Sequence, residues 1–347
     1  YPDQEFLNSL HPLFADYVTD KMNFPVYNPG EVCGYLTEEM ANTLGLKAGI
    51  PVSPFVIDAM ASFPATGITG AGQMQAAIGT STCQIVLADQ ENYVPGITGV
   101  VYGGVYPNIY AYETGQAAVG DIFAWFVDNL FPQEYVIKAK DIDMSPHAYL
   151  NSLASQLQVG ESGLVALDWW NGNRSILSNY DLSGLLVGMT LATTPEEIYR
   201  ALIEATAYGT RVLIENHKDH GVDIHEYIAA GGISTKSPLA MQIYADVLNM
   251  PISVADVPEG AAVGSAIYAA AAAGEELGGY ASIYEAAEKM GKVKKHAFKP
   301  IPEHVDVYEK LYREYLTLHD YFGRSENNTM INLKNIRINA LENKTSL

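Results

Sequence analysis

Cysteine is nearly absent: the 347 residues hold two, Cys33 and Cys83. Two cysteines make no disulfide framework, and no CxxC pair offers ligands to a metal. The expectation is a pair of reduced thiols in a cytoplasmic protein. Basic residues are scarce as well, 20 Lys and Arg against 40 Asp and Glu, for a formal net charge of −20. That balance excludes a nucleic-acid partner, whose phosphates demand a basic surface. It does not exclude a nucleotide, because a local nest of amides can hold phosphate against an unfavourable overall field. No apolar run approaches the roughly 20 residues of a membrane span. The eight histidines form no HxH or HxxxH pair, which argues against zinc. There is no Gly-x-Ser-x-Gly elbow, no P-loop spacing and no internal repeat. What remains is a globular composition, 48% hydrophobic and 17% charged.

The richest stretch runs over residues 229–254, Ala-Ala-Gly-Gly-Ile-Ser-Thr-Lys-Ser-Pro-Leu-Ala and onward. A short apolar run at 227–230 leads into Gly231 and Gly232, which allow a sharp turn and close approach of a ligand. Ser234, Thr235 and Ser237 can cap the following helix and leave amides facing an anion or a purine edge. Helical spacing holds over 239–248, Pro251 stops it, and a second short strand follows. A strand–turn–helix–strand unit places its turn where a nucleotide can sit.

Elsewhere, Phe6, Leu7, Leu10, Leu13, Phe14, Tyr17 and Val18 fall on one helical stripe, so that the chain is expected to begin inside a domain. Thr37 and Gly45 bracket a second helix. An apolar run over 51–57 reads as a strand ending at Asp58. Strands are predicted over 84–87, 100–105, 109–112 and 164–167, and helices over 117–130, 145–156, 194–219, 260–273, 280–290 and 305–321. Residues 168–188 read as an irregular loop. Strands alternating with helices indicate an α/β fold.

Four further sites could carry chemistry. Asp58, at a strand end, is either a capping carboxylate or a general base. Gly79-Thr80-Ser81-Thr82 offers hydroxyls and free amides, as a phosphate cradle requires, though such a turn is commonly only a turn. Glu113, predicted just before a helix, is either a dipole-stabilised carboxylate or a cleft ligand. The Asp168-Trp169-Trp170-Asn171-Gly172-Asn173-Arg174 segment can stack on a base or pack as a corner.

Residues 229–254, together with Glu259-Gly-Ala-Ala-Val-Gly-Ser-Ala-Ile-Tyr-Ala-Ala269, resemble the carboxy-terminal signature of the FGGY carbohydrate kinases, members of the actin-like, ribonuclease-H-like ATPase superfamily. Gly79-Thr-Ser-Thr-Cys83, Tyr112-Glu-Thr-Gly-Gln-Ala-Ala-Val-Gly120, Leu167-Asp-Trp-Trp-Asn-Gly-Asn-Arg174 and Gly188-Met-Thr-Leu-Ala-Thr193 are most similar to the bacterial L-ribulokinases. The resemblance implies a mixed sheet flanked by helices. Residues 1–60 would be the tail of an amino-terminal domain, 61–325 the carboxy-terminal ATPase domain and 326–347 a loosely held tail. It implies ATP and Mg2+, with a ketopentose as the other substrate and a homo-oligomer left open. Asp58 would be the catalytic base and Glu113 a sugar ligand. Gly79, Thr80, Ser81 and Thr82 would contact the ATP phosphates, and Gly231, Gly232 and Ser234 would seat the adenosine. The family continues Asp-Ala-His-Ala-Gly where this chain has Asp58-Ala-Met-Ala-Ser62, which leaves the base but alters its surroundings.

Overall fold

In the computed structural model, which describes residues 1–345, the first sixty residues form only short elements. Asp3 caps α1 (Gln4–Leu10) by accepting the Phe6 amide at 2.7 Å. Pro12 follows in a single 3-10 turn, and α2 (Tyr17–Lys21) comes after it. The predicted stripe is therefore two helices rather than one, broken where Pro12 has no N–H to continue the ladder. Phe6, Leu10, Leu13, Phe14 and Tyr17 on it are exposed. β1 (Gly34–Tyr35) pairs with β2 (Pro51–Val52) around α3 (Glu38–Leu44), which carries the expected caps at Thr37 and left-handed Gly45. The strand predicted over 51–57 stops at Val52, ahead of Pro54. Asp58 is thus not at a strand end; it opens α4 (Asp58–Ala61), a single helical turn.

The main body follows in order: β3 (Gln73–Ile78), β4 (Thr82–Ala88), β5 (Gly99–Tyr102), β6 (Tyr110–Gln116), α5 (Gly120–Leu130), α6 (Gln133–Asp141), α7 (Pro146–Ala154), β7 (Val165–Leu167), β8 (Leu185–Val187), α8 (Pro195–Asp219), β9 (Glu226–Ala230), α9 (Gly232–Lys236), α10 (Pro238–Leu248), β10 (Ile252–Ala255), α11 (Gly260–Ala273), α12 (Ile283–Met290), β11 (Val293–Phe298), α13 (Pro302–Gly323) and α14 (Thr329–Thr345). Seven strands make one mixed sheet in the order β11-β10-β9-β3-β4-β6-β5, with β3, β9 and β10 parallel. β7 and β8 form a separate pair, so the 168–188 loop ends in a strand.

Strand alternation sorts the sheet into two faces. Met74, Ala76, Val86, Tyr112, Tyr227 and Ala229 belong to the larger core, which α5, α8, α10 and α13 cover. Ile85, Leu87, Ala111 and Ile228 belong to the second, which α11 and α12 cover. Helix α8 runs 25 residues, opened by Pro195 and by Glu197 accepting the Thr194 amide at 2.7 Å. The segment expected to be a loose tail forms α14, with Met330 buried in the larger core and Lys334 paired with Asp181 at 2.6 Å; residues 346–347 lie outside the described residues. Among the described residues no helix is long and apolar enough to cross a membrane.

Candidate active site

The parallel register Ala76↔Ala229 and Ala77↔Ala230 brings β3 and β9 to an end at one edge of the sheet. There the β3–β4 hairpin tip, residues 79–81, meets the double glycine. Gly231 caps α9 at φ 91°, and a Cβ on it would lie 2.5 Å from the Ile78 carbonyl oxygen, so only glycine allows this contact. The tip is anchored by its backbone. Gly79 O accepts the Gly120 amide at 2.9 Å, and Thr80 O accepts those of Val119 and Asp121 at 2.8 and 3.2 Å. The first amides of α5 are therefore spent on the hairpin, while the Thr80 and Ser81 side chains stand exposed.

Two of the hydroxyls singled out in the sequence are turned inward. Thr82 is fully buried at the start of β4, so it supports the tip and presents nothing to a ligand. Ser234 is 4% exposed and donates to the Gly231 carbonyl at 2.7 Å, which locks the turn instead of facing a nucleoside.

Gly79, Thr80 and Gly232 border a cleft of about 640 Å³. Its walls are apolar, from Phe123, Tyr199, Ile203 and Ile233, and polar groups from α7 and the start of α10 line it. The Ser237 hydroxyl donates to Asn151 Oδ1 at 2.8 Å, and His147 Nδ1 lies 3.2 Å from the Tyr199 hydroxyl. Burial holds the His147 imidazole below its ordinary range, so the neutral ring is favoured. The sequence reading missed these residues. Periodicity marks α7 and α8 only as amphipathic, and nothing local says that they face the double glycine.

A second cluster lies on the opposite face of the same hairpin. Glu113 sits in the middle of β6, not before a helix; the helix opens at Gly120. Its carboxylate accepts from Arg174 Nη2 at 2.7 Å, with side-chain exposures of 17% and 28%. Arg174, the last residue of the Asp168–Arg174 segment, thus supplies a cation to the Glu113 carboxylate. Burial, then the charge of Glu113, pushes the Cys83 thiol up to about 12; Arg174 opposes this and Asp58 adds to it. Cys83 therefore lies beside Glu113 and its partner Arg174, and the charge of Asp58 acts on the same thiol. Asp58 is exposed, and its Oδ1 accepts the Ala59 amide at 2.8 Å. Where the family has glycine, Ser62 accepts from Gln75 Nε2 at 2.8 Å and donates to the Ala59 carbonyl at 2.7 Å. Met60 packs against the second core.

The Asp168–Trp169 pair is a packed corner. Trp169 is buried against His319, and Asp168 accepts from Gln116 Nε2 and the Tyr315 hydroxyl, each at 2.8 Å. Among the described residues no group of three or more His, Cys, Asp and Glu could cage a metal.

The family model for the C-terminal domain of the FGGY family of carbohydrate kinases matches residues 74–273. A ribulokinase from Bacillus licheniformis is 50% identical over 346 residues, 99% of this chain and 62% of that protein. A xylulose kinase from Rhodospirillum rubrum superposes with a TM-score of 0.73 at 30% identity, over 86% of this chain and 57% of that one. A Plasmodium falciparum glycerol kinase solved with ADP gives 0.70 at 17% identity, over 89% and 58%, and shares the fold. The chain thus spans about three-fifths of the length of the curated relatives it matches. The mixed sheet with helices on both faces is the actin-like ATPase architecture of these kinases, and this chain belongs to the FGGY family of carbohydrate kinases.

Proposed function

We propose that this chain carries the nucleotide site and the catalytic base of a kinase that transfers the γ-phosphoryl group of ATP to a primary hydroxyl of a ketopentose, the 5-hydroxyl of L-ribulose. One observation carries the reading. The β3–β4 hairpin borders the apolar cleft with Gly79 and Thr80, and just beyond its tip Cys83 lies beside Glu113, which Arg174 holds, with the Asp58 charge acting on the same thiol. A triphosphate passing over residues 79–81 would run from base to sugar. The higher identity to ribulokinase than to xylulose kinase, 50% against 30%, favours ribulose.

The purine would lie between the apolar walls, with Asn151, Ser237 and neutral His147 at its polar edges. Thr80 and Ser81, exposed on an anchored tip, would meet phosphate oxygens. Asp58 would accept the proton of the sugar hydroxyl as its oxygen attacks the γ-phosphorus and ADP leaves. Its second oxygen stays available because Oδ1 is taken by the Ala59 amide. Mg2+ is commonly held by one or two carboxylates and the substrate's phosphates rather than by a protein cage. Bound there, it would neutralise charge developing between the β- and γ-phosphates. Glu113 would accept a sugar hydroxyl.

The 347 residues by themselves are expected to bind MgATP but to turn over sugar poorly, since one side of the Asp58 cluster is exposed. Calorimetry with MgATP and a coupled kinase assay test both statements. In the protein from the full reading frame, Asp58→Asn should lower kcat by about 10²- to 10⁴-fold and leave MgATP affinity within twofold. Undiminished turnover removes Asp58 as the base. Failure of the unaltered protein to bind MgATP removes the kinase assignment itself.

A further inference from the structure

Glu113 is held rigidly in its backbone and loosely in its side chain. It pairs with Ile85 of β4 on one side and Gly99 of β5 on the other, so its Cα cannot shift. Its carboxylate still has three torsions, the last of them broad. A hydroxyl acceptor must be aimed more narrowly than that.

Arg174 removes this freedom, and its own position is fixed three ways. Asn173 and Asn179 exchange backbone bonds at 2.9 and 2.8 Å, which closes the loop on which Arg174 sits. The Asn173 side chain accepts the Leu177 amide at 3.0 Å and tightens the same loop. At the loop root, buried Asp168 accepts from Gln116, three residues beyond Glu113 on β6. Gln116 and Glu113 project to opposite faces of that strand, so the loop grips the end of β6 from both sides. Gly115 shares the face of Glu113; a Cβ there would lie 2.1 Å from the Thr82 carbonyl oxygen, so glycine is required where β4 and β6 approach, while Arg174 Nη1 would stand at an ordinary contact distance of 3.5 Å.

We propose that Arg174 is a positioning residue for the sugar: it fixes the orientation of the Glu113 carboxylate, so that the oxygen it leaves free receives one hydroxyl of a polyol substrate. The proposal rests on the kinase reading above. The Arg174 charge also offsets the repulsion between Glu113 and Asp58, which lets two carboxylates share one substrate site. Because the pair is partly exposed, it contributes little to folding, and its effect should appear in sugar recognition.

The test is a double-mutant cycle in the protein from the full reading frame, with Arg174→Ala, Arg174→Lys, Glu113→Gln and the combination of Arg174→Ala with Glu113→Gln. Arg174→Ala should raise KM for the ketopentose about 10- to 100-fold. KM for MgATP should stay within about twofold and the melting midpoint within about 3 °C. In the Glu113→Gln background, Arg174→Ala should add no more than about a twofold loss. Arg174→Lys should recover part of the affinity, since an ammonium restores the charge without the fork. If Arg174→Ala does not fold, the cycle is run with Arg174→Lys, and the same non-additivity is expected. Additive losses, an equal rise in both KM values, or wild-type KM in the Arg174 variants would overturn the proposal while leaving the kinase reading intact. Absence of any sugar phosphorylation by the unaltered protein would overturn both.

Discussion

The two faces of the sheet share the β3–β4 hairpin and differ in nearly every other respect. On one side, Phe123, Tyr199, Ile203 and Ile233 make an apolar slot with a few polar groups at its edge. On the other, Glu113 and Arg174 lie beside the half-buried Cys83 thiol, and Asp58 is exposed. The first face suits a flat ring that is held by burial and oriented by few hydrogen bonds. The second suits a molecule made of hydroxyls, where charged partners fix geometry. The contrast shows how one strand pair divides labour: alternation sends Thr82 and Gln84 into one core and Cys83 and Ile85 to the other face, so neighbours in sequence serve different ends.

Separate faces should fail separately, and on the nucleotide side the largest expected effect comes from Gly232. Gly232 has open space where a Cβ would stand, and it borders the cleft. Gly232→Leu should fold normally, fill that space and weaken MgATP binding about 10- to 100-fold by calorimetry. Loss of sugar affinity to the same degree would break the division between the faces. Its neighbour should behave in the opposite way. Gly231→Ala places a Cβ against the Ile78 carbonyl in a left-handed backbone. Chemical denaturation should show a loss of about 1–3 kcal/mol. A neutral result would mean that the turn can relax without glycine.

The smallest effect is one of pH. His147, His217 and His319 all lie on the cleft side, in or against α7, α8 and α13, and burial holds each below its ordinary range. Among the described residues, Nε2 of His217 and of His319 has no hydrogen-bond partner. Below about pH 6.5 the unfolded chain takes up protons that the folded histidines resist. Their contribution to stability is therefore constant above that range and is lost as pH falls through it, by at most about 1.4 kcal/mol per histidine per pH unit. Urea melts at pH 7.5 and 5.5 should show the decline, and His217→Gln should flatten it. An unchanged slope would show that His217 titrates no differently in the two states.

Much of this was legible along the chain. The caps of α3, the start of α8 at Thr194, and the strand–turn–helix–strand unit at residues 226–255 follow from local chemistry, and the structure contains each of them. Strand β3 was not legible. Met74-Gln75-Ala76-Ala77-Ile78 has weak strand propensity, and it becomes the central strand because β4 and β9 pair on either side. Gly79, Thr80 and Gly232 border the cleft, whereas Thr82 and Ser234 carry the same hydroxyl chemistry as Thr80 and are turned inward. Arg174 gave a weaker signal still, one arginine in a loop, 61 positions from the glutamate it holds.

The sequence by itself determined the family, the α/β alternation and the residue types around a nucleotide turn, because capping, glycine geometry and periodicity act over a few residues. Only the tertiary structure decided which hydroxyls face the cleft, that Asp58 starts a helix, and that Arg174 neutralises Glu113. Those facts depend on strand order and side-chain burial, which are set by contacts between segments far apart in the chain.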